Sequence, residues 1–197
     1  MALQKKIMGE RVTLRALSEK DSKAFFALVE GSRAHLNEWL PWVESHTSVE
    51  HSEAFLSAAE MQFEMENGGF WGIFAGKVLM GCVALHWIQW EHAFTSLGYW
   101  LGKPYLRQGF ACEACQLLVK HCFDDLKINR IEISVAESNH SSLQLARSLG
   151  FLEEGRRRQF ERLHGKFQDH IAFALLFDDF RHLGSPSNQN RTGFSPT

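Results

Sequence analysis

The sequence predicts an α/β domain organised on a mixed sheet, and three observations carry that prediction. The hydrophobic period switches between two and 3.6 residues along the chain, in the order β α α β β β α β α β β. Hydrophobic residues make up 45% and charged residues 22%, which supplies a buried core and is too apolar for a disordered chain. At 197 residues, two independent cores would each sit near the lower end of common domain sizes, so one domain over 1–183 is expected.

The elements follow in order. Glu10 to Leu17 alternates Val12, Leu14 and Ala16 with Arg11, Thr13 and Arg15, the period of a half-buried first strand. Ser18, with Asp21 three residues on, forms a capping pattern before a helix whose inner face holds Phe25, Leu28 and Val29. After Gly31, HLNEWLPWVES gathers Trp39, Leu40, Trp42 and Val43 around Pro41, which breaks a long helix; the segment either walls a pocket or lids the core. Thr47 to Glu50 repeats the capping pattern, and Ala54, Phe55, Ala58, Met61, Gln62 and Met65 mark the inner side of a second helix that stops at Asn67-Gly68-Gly69. FWGIFA, VLMGCVALHWIQW and AFTSLGYWLG then read as a three-stranded antiparallel meander with a turn at Gly76-Lys77. Beyond Gly109 a helix turns Ala111, Ala114, Leu118 and Cys122 inward, RIEISVAE is a strand, and 139–149 is a short helix closed by Gly150. RRRQFER and FQDHIAFALLF form the last hairpin, and GSPSNQNRTGFSPT at 184–197 reads as a disordered tail.

Totals exclude several function classes. The 21 Lys plus Arg against 23 Asp plus Glu give a formal net charge of -2, which writes no preference for nucleic acid or membrane into the chain. The apolar run at 78–90 is interrupted by Gly81, His86 and Gln89 and falls short of the roughly 20 residues a spanning helix needs. The first residues lack a secretory pattern, and Cys82, Cys112, Cys115 and Cys122 suit free thiols in a reducing compartment, so the cytoplasm is the expected location. Cys112-Glu113-Ala114-Cys115 with His121 and Cys122 lies inside a helix without a second ligand pair, which favours buried thiols over a metal site, and no metal is assigned. His35, His46, His86 and His164 are placed at the surface or a pocket rim. The Arg156-Arg157-Arg158 run reads as a solvated strand face or as an attractor for an acidic protein tail.

The segment richest in chemistry is a strand ending at Tyr99-Trp100-Leu101-Gly102, followed by Leu106-Arg107-Gln108-Gly109-Phe110-Ala111 and a helix. Such a turn aims unpaired backbone N–H groups outward, a cradle for pyrophosphate, with Gly109 allowing close approach and Arg107 adding charge. Alone, it fits a plain strand-turn-helix connection equally well.

HLNEWLPW, LGYWLGKPYLRQGFACEA, Asn139 with Ser142, the LGF at Leu149 to Phe151, the EEG at Glu153 to Gly155 and Asp169 together resemble the GNAT superfamily of N-acetyltransferases, and within it the RimJ/RimL type. The resemblance runs from about Arg11 to Phe177. It implies a GNAT-like acyl-CoA N-acyltransferase fold, a mostly antiparallel sheet splayed between its fourth and fifth strands, 97–102 and 131–136, with acetyl-coenzyme A entering the split. Amides at Leu101 and Gly102 would bind the acetyl oxygen. Leu106, Arg107, Gln108, Gly109, Phe110 and Ala111 would hold the pyrophosphate, and Asn139 would contact the pantetheine or cap its own helix. The family's turn usually begins with Gln or Arg followed by glycine; here Leu106 and Arg107 stand there.

Acetyl transfer needs a neutral amine, a polarised thioester and a proton for the leaving thiolate. An α-amine, with a pKa of about 7.7 to 8.0, is already partly neutral near pH 7, unlike a lysine at about 10.4. The resemblance makes Glu161 the general base and Ser142 the proton donor. Read from the residues alone, Glu161 pairs with Arg158 or Arg162 and Ser142 bonds its own backbone; Tyr105 is another donor, on the phosphate side. Trp39 and Trp42 would line the acceptor site. A protein N-terminus, as in ribosomal-protein acetyltransferases, is the expected acceptor, with a polyamine, antibiotic or amino-acid conjugate as the alternative; a homodimer fits the family. A non-catalytic acyl-coenzyme-A sensor is the reading of a different class.

Overall fold

The computed structural model describes residues 2–183, so the tail expected at 184–197 lies outside the described residues. Eight strands, β1 (Lys6–Met8), β2 (Thr13–Ala16), β3 (Gly69–Ala75), β4 (Val78–Gln89), β5 (Phe94–Leu101), β6 (Arg130–Ala136), β7 (Leu152–Leu163) and β8 (Lys166–Leu176), form one sheet in the order β1-β2-β3-β4-β5-β6-β8-β7. The helices are α1 (Ser22–Gly31), α2 (Arg33–Leu36), α3 (Trp42–Ser45), α4 (Val49–Glu64), α5 (Phe110–Asp124), α6 (His140–Ser148) and α7 (Phe177–Leu183). The β3-β4-β5 meander and the β7-β8 hairpin stand as the sequence predicts.

Several elements differ from expectation, each for a physical reason. The first strand is a hairpin, with Lys6 opposite Arg15 and Met8 opposite Thr13. Its loop is held from outside: Glu113 Oε1, on α5, accepts the N–H groups of Arg11 (2.8 Å) and Val12 (3.1 Å). The Trp-rich segment resolves into two single-turn helices, α2 and α3, tied by Arg33, which donates to the carbonyls of Val43 (2.5 Å) and His46 (2.6 Å). On α4 the buried stripe is Ser52, Leu56, Ala59 and Phe63, one step away from the predicted face, and Met61 and Met65 are exposed. Strand β7 begins at Leu152, earlier than its alternation shows, because it is exposed on both faces over most of its length. Helix α7 follows β8 directly and packs Phe177 and Phe180 against Phe123.

Two apolar layers cover the sheet. One face carries the main core, where α5 and α6 set Ala114, Leu118, Cys122, Leu143 and Ala146 against Leu97, Ile131, Ile133 and Val135. The other face, over β2 to β5, is covered by α1 and α4 through Phe25, Val29, Leu56, Phe74 and Cys82. Among the described residues no helix is long and apolar enough to cross a membrane.

His46, expected at the surface, is buried, with Nε2 2.6 Å from Ser52 Oγ. Burial, with smaller contributions from His51 and Arg33, lowers its pKa below the ordinary histidine value. As pH falls, the unfolded chain takes up this proton first, so the linked stability is present above about pH 6.5 and declines below it. Thermal melts from pH 7 to pH 5 should show a drop in stability that is smaller in His46→Gln; an unchanged slope would place the acid sensitivity elsewhere.

Candidate active site

The sheet opens at its one parallel junction. Strands β5 and β6 pair only through Phe94 with Arg130, Thr95 with Ile131 and Ser96 with Glu132, after which they diverge. The split lies between 97–102 and 133–136, between the fifth and sixth strands because the first expected strand is a hairpin of two; Ile131 and Glu132, expected inside it, are still paired with β5. On the β4 side, Gly102 N–H donates to Met80 O at 2.8 Å. That amide is therefore already used, and the expected bond from Gly102 to an acetyl oxygen is not available. Antiparallel pairing alternates, so the Leu101 N–H next to it points away from β4, into the split.

At the mouth of the split the chain turns through 106–109 into α5. Arg107 (φ 59°) and Gly109 (φ 82°) both adopt the left-handed region, and Gly109 is the α5 N-cap. Arg107 thus takes, where the family commonly has glycine, the conformation glycine would adopt without strain. Leu106 packs against the main core with Tyr105, Phe110 and Ala111, anchoring the turn through apolar contact. Helix geometry leaves the first α5 amides, Phe110, Ala111 and Cys112, without intrahelical acceptors, and Gln108 braces the loop by donating to Pro104 O at 2.9 Å. Arg11, unassigned by sequence reasoning, stands beside this turn: it donates to Gln108 O (2.8 Å) and its guanidinium lies over Phe110 at 4.5 Å. The turn thus combines a helix N-terminus with two arginines, a fit to pyrophosphate.

Across the split, Asn139 caps α6 by accepting from Ser142 N–H (3.1 Å) and Ser141 O–H (3.0 Å), so the capping role holds. The cap presents Ser142 toward β5. Ser142 Oγ donates to Tyr99 Oη at 2.9 Å, rather than to its own backbone, and Tyr99 Oη donates to Ser142 O at 3.2 Å. Burial, reinforced by Cys115 and opposed by the Ser142 bond, raises the Tyr99 pKa, so the phenol keeps its proton at neutral pH. Tyr99 had no signal of its own in the sequence beyond its place at the strand end.

Glu161 stands on the opposite face. In β6, Ile131, Ile133 and Val135 enter the main core, so Glu132, Ser134 and Ala136 face the other way, and His170 of β8 lies opposite Ala136. Glu161 meets His170, with Oε2 3.3 Å from Nε2, and the arginines expected as its partners are engaged elsewhere or exposed. On that same face Trp42 packs near Phe25 (6.3 Å between ring centroids) and Trp100 (6.1 Å), while Trp39 is half-buried in the turn between α2 and α3. The β7-β8 turn closes over this side: His164 Nε2 lies 2.6 Å from Asn37 O. Trp42 is thus both core lid and buttress of β5.

The remaining clusters are structural. Cys115 and Cys122 are buried with raised thiol pKa values, and among the described residues no group of His, Cys, Asp and Glu could hold a metal ion. His121 instead bonds Asp125 (2.7 Å) and accepts Gln4 N–H (3.3 Å). In the arginine run, Arg156 pairs with Glu137 and Asp169 and Arg157 with Glu132, leaving Arg158 exposed.

The family described as acetyltransferase (GNAT) domain matches residues 11–152. The chain belongs to the GNAT acetyltransferases. This GNAT enzyme is 28% identical over 170 residues to the provisionally named ribosomal N-acetyltransferase YdaF of Bacillus subtilis (strain 168), covering 86% of this chain and 93% of that one. It is 26% identical over 167 residues to spermidine N(1)-acetyltransferase of Vibrio cholerae, covering 82% and 91%. Among solved structures it resembles RimL, the ribosomal L7/L12 alpha-N-protein acetyltransferase in complex with coenzyme A, at a TM-score of 0.85 and 26% identity over 88% of this chain and 99% of that one. As a GNAT acyltransferase it takes its acyl group from acetyl-coenzyme A.

If the 106–111 turn holds the donor's pyrophosphate, a branched side chain at Gly109 must meet both the left-handed backbone and Arg11, whose Nη1 lies 3.4 Å from the position of a Cβ. Calorimetric titration of Gly109→Val with acetyl-coenzyme A should show binding weakened by roughly tenfold or more, about 1.4 kcal/mol. Wild-type affinity in a folded variant would move the pyrophosphate site elsewhere.

Proposed function

We propose that this GNAT enzyme acetylates the N-terminal α-amine of a protein in the cytoplasm, with a ribosomal protein as the first acceptor to test. One observation carries the chemistry: Glu161 lies on one face of the split sheet and Ser142 on the other. Direct transfer can use that arrangement: the amine adds to a face of the planar thioester carbonyl, and the tetrahedral intermediate so formed collapses by breaking the C–S bond and releasing the sulfur as thiolate. Glu161, through a water, takes the proton the amine loses. Leu101 N–H donates to the acetyl oxygen as it gains charge. Ser142 turns its hydroxyl from Tyr99, gives its proton to the departing sulfur and is reprotonated from solvent, to which Glu161 passes the amine proton; Tyr99, which donates to Ser142 O, holds Ser142 in place. Trp39 and Trp42 wall the approach on the Glu161 face.

The acceptor rests on the names of relatives. YdaF and RimL carry ribosomal names, which supports a protein N-terminus as the acceptor. The spermidine relative favours a second reading, a polyamine acceptor.

Thiol release from acetyl-coenzyme A, measured with N-terminal peptides of ribosomal proteins and with spermidine, separates the two, and mass spectrometry places the acetyl group. The peptide should react at its α-amine. Glu161→Gln should lower kcat by about a hundredfold and Ser142→Ala by roughly tenfold or more, with the Kd for acetyl-coenzyme A nearly unchanged. Turnover of spermidine alone would select the polyamine reading, and donor binding without turnover of any amine would mark a sensor.

A further inference from the structure

Beyond Glu161 a second buried group awaits a role. His170 is 7% exposed and stands on β8 between the strands that flank it. Its Nδ1 lies 3.1 Å from Ser134 Oγ on β6, its Nε2 lies 3.3 Å from Glu161 Oε2 on β7, and the Phe160 ring covers it at 5.1 Å between centroids. Among the described residues, His170 Nε2 and Asn37 Oδ1 are the buried side-chain polar atoms without a hydrogen bond. The Nε2 is within ion-pair distance of the carboxylate but off the angle a hydrogen bond requires. Leaving a buried donor unsatisfied is costly, so this geometry is poised to tighten.

The approach of these groups is built by an irregularity. Arg157 pairs opposite His170, yet Glu161 pairs opposite Gln168, because the β7-β8 register shifts between Arg157 and Glu161. In a regular ladder Gln159 would stand opposite Gln168. Instead Gln159 takes φ 51°, and its N–H donates to Asp169 Oδ1 at 2.8 Å. The same Asp169 carboxylate holds Arg156 at 2.8 Å. The bulge, pinned by Asp169, carries Glu161 back beside His170.

We propose that His170 is a positioning residue for Glu161, an inference that rests on Glu161 being the base. Ser134 O–H donates to Nδ1, which places the imidazole hydrogen on Nε2. That Nε2–H donates to one carboxylate oxygen of Glu161 as the acceptor closes the pocket, leaving the other oxygen for the amine proton. The other charges around His170 are already committed: Arg157, opposite it on β7, reaches Glu132 of β6 at 3.4 Å, and Asp169 on its own strand is turned to Arg156 and Gln159.

Two measurements on the full chain test this. In ¹⁵N-histidine NMR of the ligand-free protein, wild type should show His170 with hydrogen on Nε2, and Ser134→Ala should lose that preference; hydrogen on Nδ1 in wild type overturns the inference. In acetylation kinetics, His170→Leu should lower kcat by on the order of tenfold to a hundredfold with the Kd for acetyl-coenzyme A unchanged, and His170→Gln, which restores a donor near Nε2, should recover most of it. Wild-type kcat in His170→Leu overturns it. If Glu161→Gln retains wild-type kcat, the assignment of the base falls and this inference with it. If Glu161→Gln is slow while His170→Leu is not, only the role of His170 falls.

Discussion

Where β5 and β6 part after Ser96 and Glu132, the chain forgoes ladder hydrogen bonds that an uninterrupted sheet would make. Buried backbone groups are rarely left unpaired, so a split in the middle of a sheet is stable only with other partners for its edges. In the function proposed above, the acyl donor is that partner. Everything functional hangs on this gap: Leu101 points an N–H into it, α5 begins at its mouth, and α6 and the β7-β8 pair stand along its far wall. The packing around it is firm. Tyr99 and Leu101 belong to the main core side, and Trp100, on the alternate face, is held by Phe25 and Trp42. Two apolar layers thus keep β5 in position while one edge is open.

The two sides of the gap gain different chemistry from these layers. On the α5–α6 side, burial keeps Tyr99 protonated and sets it against Ser142, so that side carries a pair of hydrogen-bonded hydroxyls. On the other side, no helix among the described residues covers β6 to β8 as α5 and α6 do, and the strands carry Glu132, Ser134, Glu161 and His170 where the first face carries leucines and isoleucines. Arg130 bridges Glu132 and Glu154 and Arg157 bridges Glu132, and among the described residues Glu161 meets His170 and no arginine within ion-pair distance. An arginine there would hold the carboxyl ionised and make it a poorer base.

How much of this was readable depended on range in the sequence. The meander, α5 and the turn at Gly109 are local patterns, and each stands where its period and glycine placed it. The split came through the resemblance, because nothing in Thr95 or Ser96 announces that pairing ends there. In the sequence Arg11 reads as the outward residue of a strand. Its place beside the α5 turn depends on Glu113, about a hundred residues later, capturing the loop before β2. His170 reads as one more residue in FQDHIAFALLF until the register shift at Gln159 brings Glu161 back to it. The face of α4 was misjudged because its small and apolar residues are spread around the helix, so Phe63 packing on Trp71 decides what periodicity leaves open. Gly102 failed for a subtler reason: adjacent strand residues aim their amides to opposite sides, and the sequence does not say which is which.

The claim that the gap is filled by the donor is tested most directly by amide hydrogen exchange, followed by NMR with and without acetyl-coenzyme A. The Leu101 amide and those of Phe110, Ala111 and Cys112 should gain protection on binding, while Gly102, already bonded to Met80 O, changes little. Protection gained elsewhere, with Leu101 and the first turn of α5 exchanging as before, would contradict it.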